Sequence, residues 1–277
     1  MEKRQTEKMS DKSFWMMNLT FKVLVKSRMK YRWHHTPSSE RKEELMRVIG
    51  LIGGMSWNST SEYYRLINEL VAERLGGFHS ANLILYSLDF DEIERAQREA
   101  RWDDALTLLA SAGSALKHAG ADFIVICTNT MHKVANDMAE RTGLPLLHIV
   151  DVTGDAIKER NLHKIGLLGT RFTMEEPFYR ARLEEHFGID VLVPEKGERA
   201  TVDRIIYDEL CQGSVKASSR HTCVQIIGGL VVRGAEGIVL ACTELPMLIQ
   251  ASDVSVPLFD TTRLHAEAAV NLALGHK

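Results

Sequence analysis

The sequence lacks any long apolar run, and it carries little net charge of either sign. No stretch approaches the roughly 18–20 consecutive apolar residues that a membrane-spanning helix needs, so we expect no membrane partner. The 34 lysines and arginines against 37 aspartates and glutamates give a formal net charge of −3, which argues against nucleic acid as a partner. The 277 residues are enough for one large or two medium globular domains.

Cysteine is scarce and unpatterned. No two of the four cysteines form a CxxC pair, so neither a zinc site nor a thioredoxin-like redox motif is indicated. Four unpatterned thiols in a chain of this length are typical of proteins in a reducing compartment, and we expect this protein to be located in the cytosol. The eleven histidines show no metal-ligand spacing, and we expect no metal, although His132 and His265 are candidates to line a cleft.

The positive charge is concentrated at the start of the chain. Residues 1–46 contain eleven lysines and arginines but only six acidic residues, and their apolar residues form short islands. No apolar core followed by a small-residue cleavage site is present, so a secretory signal is not indicated. We interpret residues 1–46 as a basic extension, disordered or peripheral, with a helix that binds a membrane surface or a partner as the alternative.

After the extension, short apolar runs alternate with amphipathic segments. Strands are predicted over residues 48–54, 82–87, 123–127 and 145–149, and helices over about 59–75 and 102–119. This alternation favours an α/β fold with parallel sheets covered on both faces. The glycine turn at 50–54 lacks the full GxGxxG pattern, so a dinucleotide site is disfavoured.

The chain also repeats itself. Ile-Gly-Leu-Ile-Gly-Gly at 49–54 returns as Ile-Gly-Leu-Leu-Gly-Thr at 165–170, and the motif at 120–126 returns at 234–240. Matches in one order at nearly one offset predict two homologous α/β lobes, over residues 47–150 and 151–265. We expect residues 266–277 to form a closing helix that packs back on the first lobe.

In the duplicated frame, Thr128 stands opposite Cys242. Both residues follow an apolar strand, and ligands of open parallel sheets bind beyond the carboxyl ends of the strands. If the two lobes face each other, one interlobe cleft receives a reactive side chain from each wall. Such a pair suits the inversion of a carbon centre, which needs a proton acceptor on one face and a donor on the other.

Cysteine fits this chemistry because its pKa starts near 8.5, and a helix N-terminus is expected to lower that pKa further. The α-hydrogen of an amino acid is a weak acid, so an enolate-like transition state must also be stabilised. Asn129, Thr130 and Thr243 are well placed in the sequence for that task.

These motifs resemble a known family. Cys-Thr-Asn-Thr-Met-His at 127–132 and Ala-Cys-Thr-Glu at 241–244 are similar to the signatures of the aspartate/glutamate racemase family, as are the segments 50–57 and 167–174. The resemblance covers residues 47–277. It implies two Rossmann-like lobes with an interlobe cleft, commonly a homodimer, and racemisation of an amino-acid substrate without pyridoxal phosphate or metal.

One position departs from the pattern that the resemblance implies. Most of these racemases carry cysteine in both lobes, whereas here Thr128 occupies the first position and Cys127 precedes it. A slip of one residue along a strand turns a side chain to the opposite face, so we expect Cys127 to be a core thiol. We hypothesise that Cys242 is the competent base for one enantiomer and Thr128 the weaker partner, with a bias toward one substrate hand.

The resemblance implies further substrate contacts, each with a structural alternative. Met55 and Ser56 would reach the substrate from a loop that is also a tight strand-to-helix turn. Gln97 lies where family members place a substrate-contacting loop, or on a solvated helix face. Arg204 would hold a substrate carboxylate, or is an ordinary surface arginine.

Two more side chains complete the candidate site. Thr170 ends the second glycine loop and would add a hydroxyl, or would cap a helix. Glu244 would orient the Cys242 thiol or bind the substrate ammonium, or is a carboxylate favoured at a helix N-terminus.

The sequence therefore predicts a cofactor-independent racemase of acidic amino acids or a broader set. Related members of the family isomerise maleate or decarboxylate arylmalonates, so an enzyme of small dicarboxylates is one alternative. A two-lobed small-molecule-binding protein that has lost one catalytic cysteine is another.

Overall fold

The computed structural model describes residues 46–275, which belong to one compact unit, Glu44–Lys277. The protein has an α/β fold with two separate parallel sheets, as the sequence predicts. The basic extension over residues 1–46 lies, apart from Met46, outside the described residues. Among residues 46–275, no helix combines the length and the apolar character that crossing a membrane takes.

The first lobe contains a three-stranded sheet with the order β2-β1-β3. Its elements are β1 (Ile49–Gly53), α1 (Trp57–Leu75), β2 (Leu83–Ser87), α2 (Phe90–Arg98), α3 (Trp102–Ala119), β3 (Phe123–Ile126), a 3-10 turn (Thr130–Val134) and α4 (Ala135–Thr142). Successive residues of β3 point to opposite faces. Ile124 packs against α3 and α4, whereas Phe123 and Val125 pack against α1.

The second lobe repeats this order and adds one strand, β5-β4-β6-β7. Its elements are α5 (Ile149–Glu159), β4 (Lys164–Gly169), α6 (Arg171–Glu175), α7 (Pro177–Phe187), β5 (Asp190–Leu192), α8 (Lys196–Asp208), a 3-10 turn (Leu210–Gln212), α9 (Ala217–Val232), β6 (Gly237–Ala241), α10 (Leu245–Leu248), a 3-10 turn (Ala251–Asp253), β7 (Leu258–Asp260) and α11 (Thr261–Ala273). The repeated motifs at 49–54 and 165–170 thus form the equivalent strands β1 and β4.

The strand predicted over residues 145–149 is wrong. Leu146 forms a single isolated bridge to Ile124. In the second lobe, the equivalent pairing of Leu258 with Ile238 is the first of the strand β7. The first lobe cannot extend this pairing because His148 already caps the next helix, with its Nδ1 accepting from the backbone N–H of Val150. The segment therefore turns into α5 after one bridge.

The helix that follows each sheet in the chain packs against the other sheet. Ile149, Val150 and Ile157 of α5 are buried with β4 of the second sheet. Ala266 and Ala269, together with Val270 and Ala273 of α11, are buried with β1, β3 and α1 of the first sheet. The closing helix begins at Thr261 and not at residue 266, because Asp260 caps it by accepting from the backbone N–H groups of Thr262 and Arg263. This exchange of helices ties the lobes together.

Candidate active site

A small cavity lies between the two lobes, at the carboxyl ends of both sheets. Ten of the sequence-predicted site residues line it: Met55, Ser56, Gln97, Thr128, Asn129 and Thr130 from the first lobe, and Thr170, Cys242, Thr243 and Glu244 from the second. Arg204 and the two histidine candidates, His132 and His265, do not line it. Its volume is about 30 Å³, which is enough for one or two water molecules.

Thr128 and Cys242 reach this cavity from equivalent places in the two lobes. Thr128 follows the end of β3 at Ile126, and Cys242 follows the end of β6 at Ala241. Cys127 is fully buried among the side chains that pack β1 and β3 against α1, so its thiol faces the core and not the cavity. Burial raises the pKa of the Cys127 thiol, which leaves it inert at neutral pH.

The carboxylate of Glu244 connects Cys242 to the first lobe. Its Oε2 accepts from the Sγ of Cys242 at 3.1 Å and from the Oγ1 of Thr243 at 2.6 Å. Its Oε1 accepts from the hydroxyls of Ser56 at 2.9 Å and Ser59 at 2.8 Å, at the start of α1. Four donors thus hold one buried carboxylate next to the thiol.

The other wall of the cavity has a related arrangement without a carboxylate. Thr130 occupies the place of Glu244 in the repeat, and its Oγ1 lies 3.1 Å from the Oγ1 of Thr170. Thr170 caps α6 as Ser56 caps α1, each accepting from the backbone N–H three residues later. Among the residues that the structure describes, the wall around Cys242 therefore has a carboxylate and the wall around Thr128 has none.

The sequence-based expectation of a lowered pKa for Cys242 is wrong for this structure. Burial raises the pKa of the Cys242 thiol well above its ordinary value, and the negative charge of Glu244 raises it further. The next helix, α10, is only four residues long, so it offers little positive potential against these effects. The side chain is a thiol at neutral pH in the closed cavity, with Glu244 as its nearest acceptor.

Two amides complete the polar lining. The Nδ2 of Asn129 donates to the Oγ1 of Thr261 at 3.1 Å, whereas its Oδ1 is buried and has no partner among residues 46–275. Gln97 is 4% exposed on α2, and its Nε2 lies 3.0 Å from the Sδ of Met131. Gln97 is thus a buried lining residue and not part of a solvated helix face.

Arg204 lies outside the cavity, so the structure does not support it as a carboxylate-binding residue. Its side chain is 59% exposed, and its Nη1 lies 3.8 Å from the Oε1 of Glu209. Ile206 and Tyr207 of the same helix line the cavity in its place. Among residues 46–275, no lysine, arginine or histidine lines this cavity.

Several residues of the site are not predicted from the sequence. Ser59 contacts Glu244 across the lobes, and Phe90, Tyr207 and Cys211 are part of the cavity wall. Ser59 follows Ser56 by three residues, which is the spacing of a capping hydroxyl and its backbone partner, so the sequence did contain a signal for it. The wall residues come from α2, α8 and the 3-10 turn after α8, and they look like ordinary core positions in a sequence.

The glycine turn after β1 has a local structural cause. Gly54 has a φ of 90°, and a Cβ at this position would lie 2.0 Å from the backbone O of Leu88. The turn is therefore a tight strand-to-helix connection, and it also brings Met55 and Ser56 to the cavity.

Among residues 46–275, no three His, Cys, Asp or Glu side chains are grouped to hold a metal ion.

Comparisons with known proteins agree with this architecture. The family model described as Asp/Glu/Hydantoin racemase matches residues 52–269. A broad specificity amino-acid racemase, RacX, from Bacillus subtilis (strain 168) is 24% identical over 239 residues, covering 83% of this chain and all of the relative. A crystal structure from Yersinia pestis, assigned to the Asp/Glu racemases, is 54% identical with a TM-score of 0.79 over 83% of this chain and all of that one.

An archaeal structure supports the same assignment. An aspartate racemase homologue from Pyrococcus horikoshii OT3 is 36% identical, with a TM-score of 0.73 over 82% of this chain and 99% of its own. The match of the family model extends over both lobes, from β1 to α11. The chain therefore belongs to the Asp/Glu/hydantoin racemase family of enzymes.

Proposed function

We propose that this protein racemises amino acids by removing the Cα proton on one face and returning a proton on the other. The main support for this proposal is that Thr128 and Cys242 line the same cavity, from equivalent positions on opposite lobes. A carbon bound between them has one proton-transferring group on each side, which is the geometry that inversion needs.

Cys242 is the stronger base of the pair in this proposal. The Oε2 of Glu244 takes the proton of the Cys242 thiol, and the resulting thiolate takes the Cα proton of the substrate. Thr128 relays a proton to the opposite face, giving its hydroxyl proton to Cα while a bound water passes it a proton from solvent, and Glu244 then releases the thiol proton to solvent. The hydroxyl of Thr128 is too weak an acid to form an alkoxide readily, so the direction that starts at Thr128 has the higher barrier after binding.

The two directions of the reaction are linked by thermodynamics. Two enantiomers have equal free energies in water, so kcat/KM is the same for both. The predicted bias toward one substrate hand therefore concerns kcat and KM separately: the enantiomer whose Cα hydrogen faces Cys242 has the higher kcat and, in the same proportion, the higher KM.

The polar groups around the two reacting side chains would bind the substrate. The buried Oδ1 of Asn129 has no partner among the described residues, and an ammonium group would supply a donor. Donors at Thr130 and Thr243 would stabilise the negative charge that develops on the carboxylate during proton removal. A cavity of about 30 Å³ has no room for an amino acid, so the lobes have to move apart before binding.

Aspartate and glutamate are the first substrates to test, with a broader set of amino acids next. The family and the Pyrococcus relative favour the acidic pair, and the Bacillus relative is named for broad specificity. Since no cationic side chain among residues 46–275 lines the cavity, the side-chain carboxylate of an acidic substrate would depend on neutral donors such as Gln97 Nε2.

The proposal includes a cytosolic location, supported by four free cysteines, and a homodimer, which the family resemblance implies.

Incubation in heavy water tests this function. Each common amino acid is incubated with the protein, and the Cα hydrogen is followed by NMR while the enantiomers are separated by chiral chromatography. We expect deuterium at Cα together with the opposite enantiomer for at least one substrate. Maleate isomerisation or simple binding would leave Cα unlabelled, and a lack of exchange with every amino acid would contradict racemisation.

A further inference from the structure

Three buried histidines lie behind the turn that contains Thr128. His132, His148 and His265, called here the histidine cluster, are 3%, 6% and 0% exposed. The ring of His132 lies 4.7 Å from that of His148 and 5.8 Å from that of His265, centroid to centroid. None of the three lines the cavity, so their role has to act through other residues.

The hydrogen bonds of His132 determine which of its nitrogens carries the proton. Its Nε2 lies 3.3 Å from the backbone nitrogen of Ile149, which can only donate, so Nε2 accepts. The proton is then on Nδ1, which donates to the backbone O of Thr128 at 2.8 Å. Burial lowers the pKa of His132 well below its ordinary value, and the neighbouring histidines lower it further, so the ring is neutral at neutral pH.

The bond from His132 fixes the backbone on one side of Thr128. On the other side, the backbone N–H of Thr128 donates to the O of Ile126 at 2.9 Å. With the peptide groups before and after its Cα both held, the direction of the Thr128 side chain is set by the backbone. Removal of the His132 bond would free the peptide group after Thr128.

The rest of the histidine cluster holds His132 against the second lobe. The Nε2 of His265 donates to the backbone O of Leu147 at 2.9 Å, and its Nδ1 accepts from the hydroxyl of Tyr63 at 2.8 Å. Leu147 lies two residues before Ile149, where α5 begins and enters the core of the second lobe. His132 thus bridges the Thr128 turn and a helix that is packed in the core of the second lobe, the lobe that carries Cys242.

We propose that His132 is a positioning residue that holds Thr128 opposite Cys242 through the hydrogen bond from its Nδ1 to the Thr128 carbonyl. This inference rests on the proposed racemisation. It makes the two-lobe geometry of the reaction depend on a residue outside the cavity. A displacement of about 1 Å at a reacting group can cost about 100-fold in rate, so the loss of this single bond is measurable.

Two substitutions separate the two hydrogen bonds of His132. In His132→Asn, the amide nitrogen can take the place of Nδ1 and still donate to the Thr128 carbonyl, but nothing accepts from Ile149. In His132→Gln, the longer side chain places its amide oxygen near the position of Nε2, so the bond from Ile149 persists and the bond to Thr128 is lost. Both variants remove the ring from the histidine cluster, and they differ from each other by one methylene group and by the hydrogen bond that remains.

The test compares racemisation with deuterium exchange at Cα of the enantiomer that faces Cys242. We expect His132→Gln to lose about 100-fold in racemisation while this exchange stays within about threefold of the original protein, and His132→Asn to keep most of both. A merely structural role would lower racemisation and exchange together and equally in both variants, and that result would overturn the inference. If the unsubstituted protein neither racemises nor exchanges any amino acid, the proposed function itself fails.

A measurement on the unsubstituted protein does not depend on how the variants fold. The ¹⁵N chemical shifts of His132, in protein labelled at histidine, report which ring nitrogen carries the proton. We expect a neutral ring protonated at Nδ1 between pH 6 and 8. A proton on Nε2 would mean that His132 does not donate to Thr128, which would overturn the inference.

Discussion

The Sγ of Cys242 lies 3.1 Å from the Oε2 of Glu244, and the same carboxylate accepts from two serine hydroxyls of the opposite lobe. Glu244 therefore has two effects on the thiol. Its charge raises the pKa of Cys242, which disfavours the thiolate in the closed cavity. It is also the acceptor through which the thiol can lose its proton during catalysis.

Glu244→Gln separates these two effects. Without the negative charge the pKa of Cys242 falls, so alkylation of Cys242 by iodoacetamide at pH 7 becomes about tenfold faster for each unit of that fall. Racemisation falls by about 100-fold because the proton acceptor is lost. Alkylation is followed by mass spectrometry, with Glu62→Gln on the exposed side of α1 as the matched control. Faster racemisation in Glu244→Gln would contradict the proposed role of the carboxylate.

Gln97 and Arg204 form a second matched comparison. Gln97 is a buried residue of the cavity wall, whereas the side chain of Arg204 is mostly exposed and outside it. Gln97→Ala should lower kcat/KM by about tenfold or more, since a buried donor for the substrate is lost. Arg204→Ala should change kcat/KM less than about twofold. A large loss in Arg204→Ala would show that Arg204 moves into the opened cleft and binds a substrate carboxylate there.

The turn after β1 should tolerate no side chain. In Gly54→Ala the new Cβ would lie 2.0 Å from the backbone O of Leu88, at a φ of 90°. We expect the free energy of unfolding to fall by more than about 1 kcal/mol, measured with urea. Gly228→Ala in α9 is the control, because a Cβ there meets no atom of residues 46–275 within 4 Å. Alanine at 228 should leave stability unchanged or raise it by about 1 kcal/mol.

The histidine cluster should make stability depend on pH. Burial lowers the pKa of His265 to about 4, against an ordinary value of about 6.5 in the unfolded chain. The unfolded state binds the proton first, so this stabilisation is complete above about pH 6.5 and declines as the pH falls toward about 4. For His265 alone the decline is about 3 kcal/mol. Urea unfolding at pH 7 and 4.5 measures it.

Two variants identify the source of that decline. His265→Gln should reduce the dependence of unfolding on pH, with the remainder due to His132 and His148, whereas His221→Gln, at an exposed position of α9, should leave it unchanged. An unchanged slope in His265→Gln would place the titrating group elsewhere in the protein.

The repeat of the two lobes can be predicted from the sequence because its motifs lie in the closely packed core. The motifs at 49–54 and 165–170 are buried central strands, whose glycines and apolar residues are dictated by close packing, so their similarity survives in the sequence. The position of Thr128 opposite Cys242 follows from the same repeat. The predicted strand over 145–149 failed because apolar residues alone do not reveal that His148 caps the following helix.

Other features depend on distant contacts and could not be read from local patterns. The raised pKa of Cys242 needs both burial and the carboxylate of Glu244, and the carboxylate is held by serines nearly two hundred residues earlier in the chain. Arg204 lies outside the cavity because the rotation of α8 decides which of its side chains face it. The histidine cluster combines three separate segments that no spacing rule connects.

The most direct test of the account compares Thr128→Ala with Cys242→Ala in heavy water, with Cys127→Ala as the control. In Thr128→Ala, we expect deuterium to enter Cα of one enantiomer only and without inversion, because Cys242 still removes and returns a proton on its own face. In Cys242→Ala, exchange and racemisation should both be lost, whereas Cys127→Ala should retain both. Full racemisation in Cys242→Ala, or its loss in Cys127→Ala, would contradict the assignment of Cys242 and Thr128 as the reacting pair.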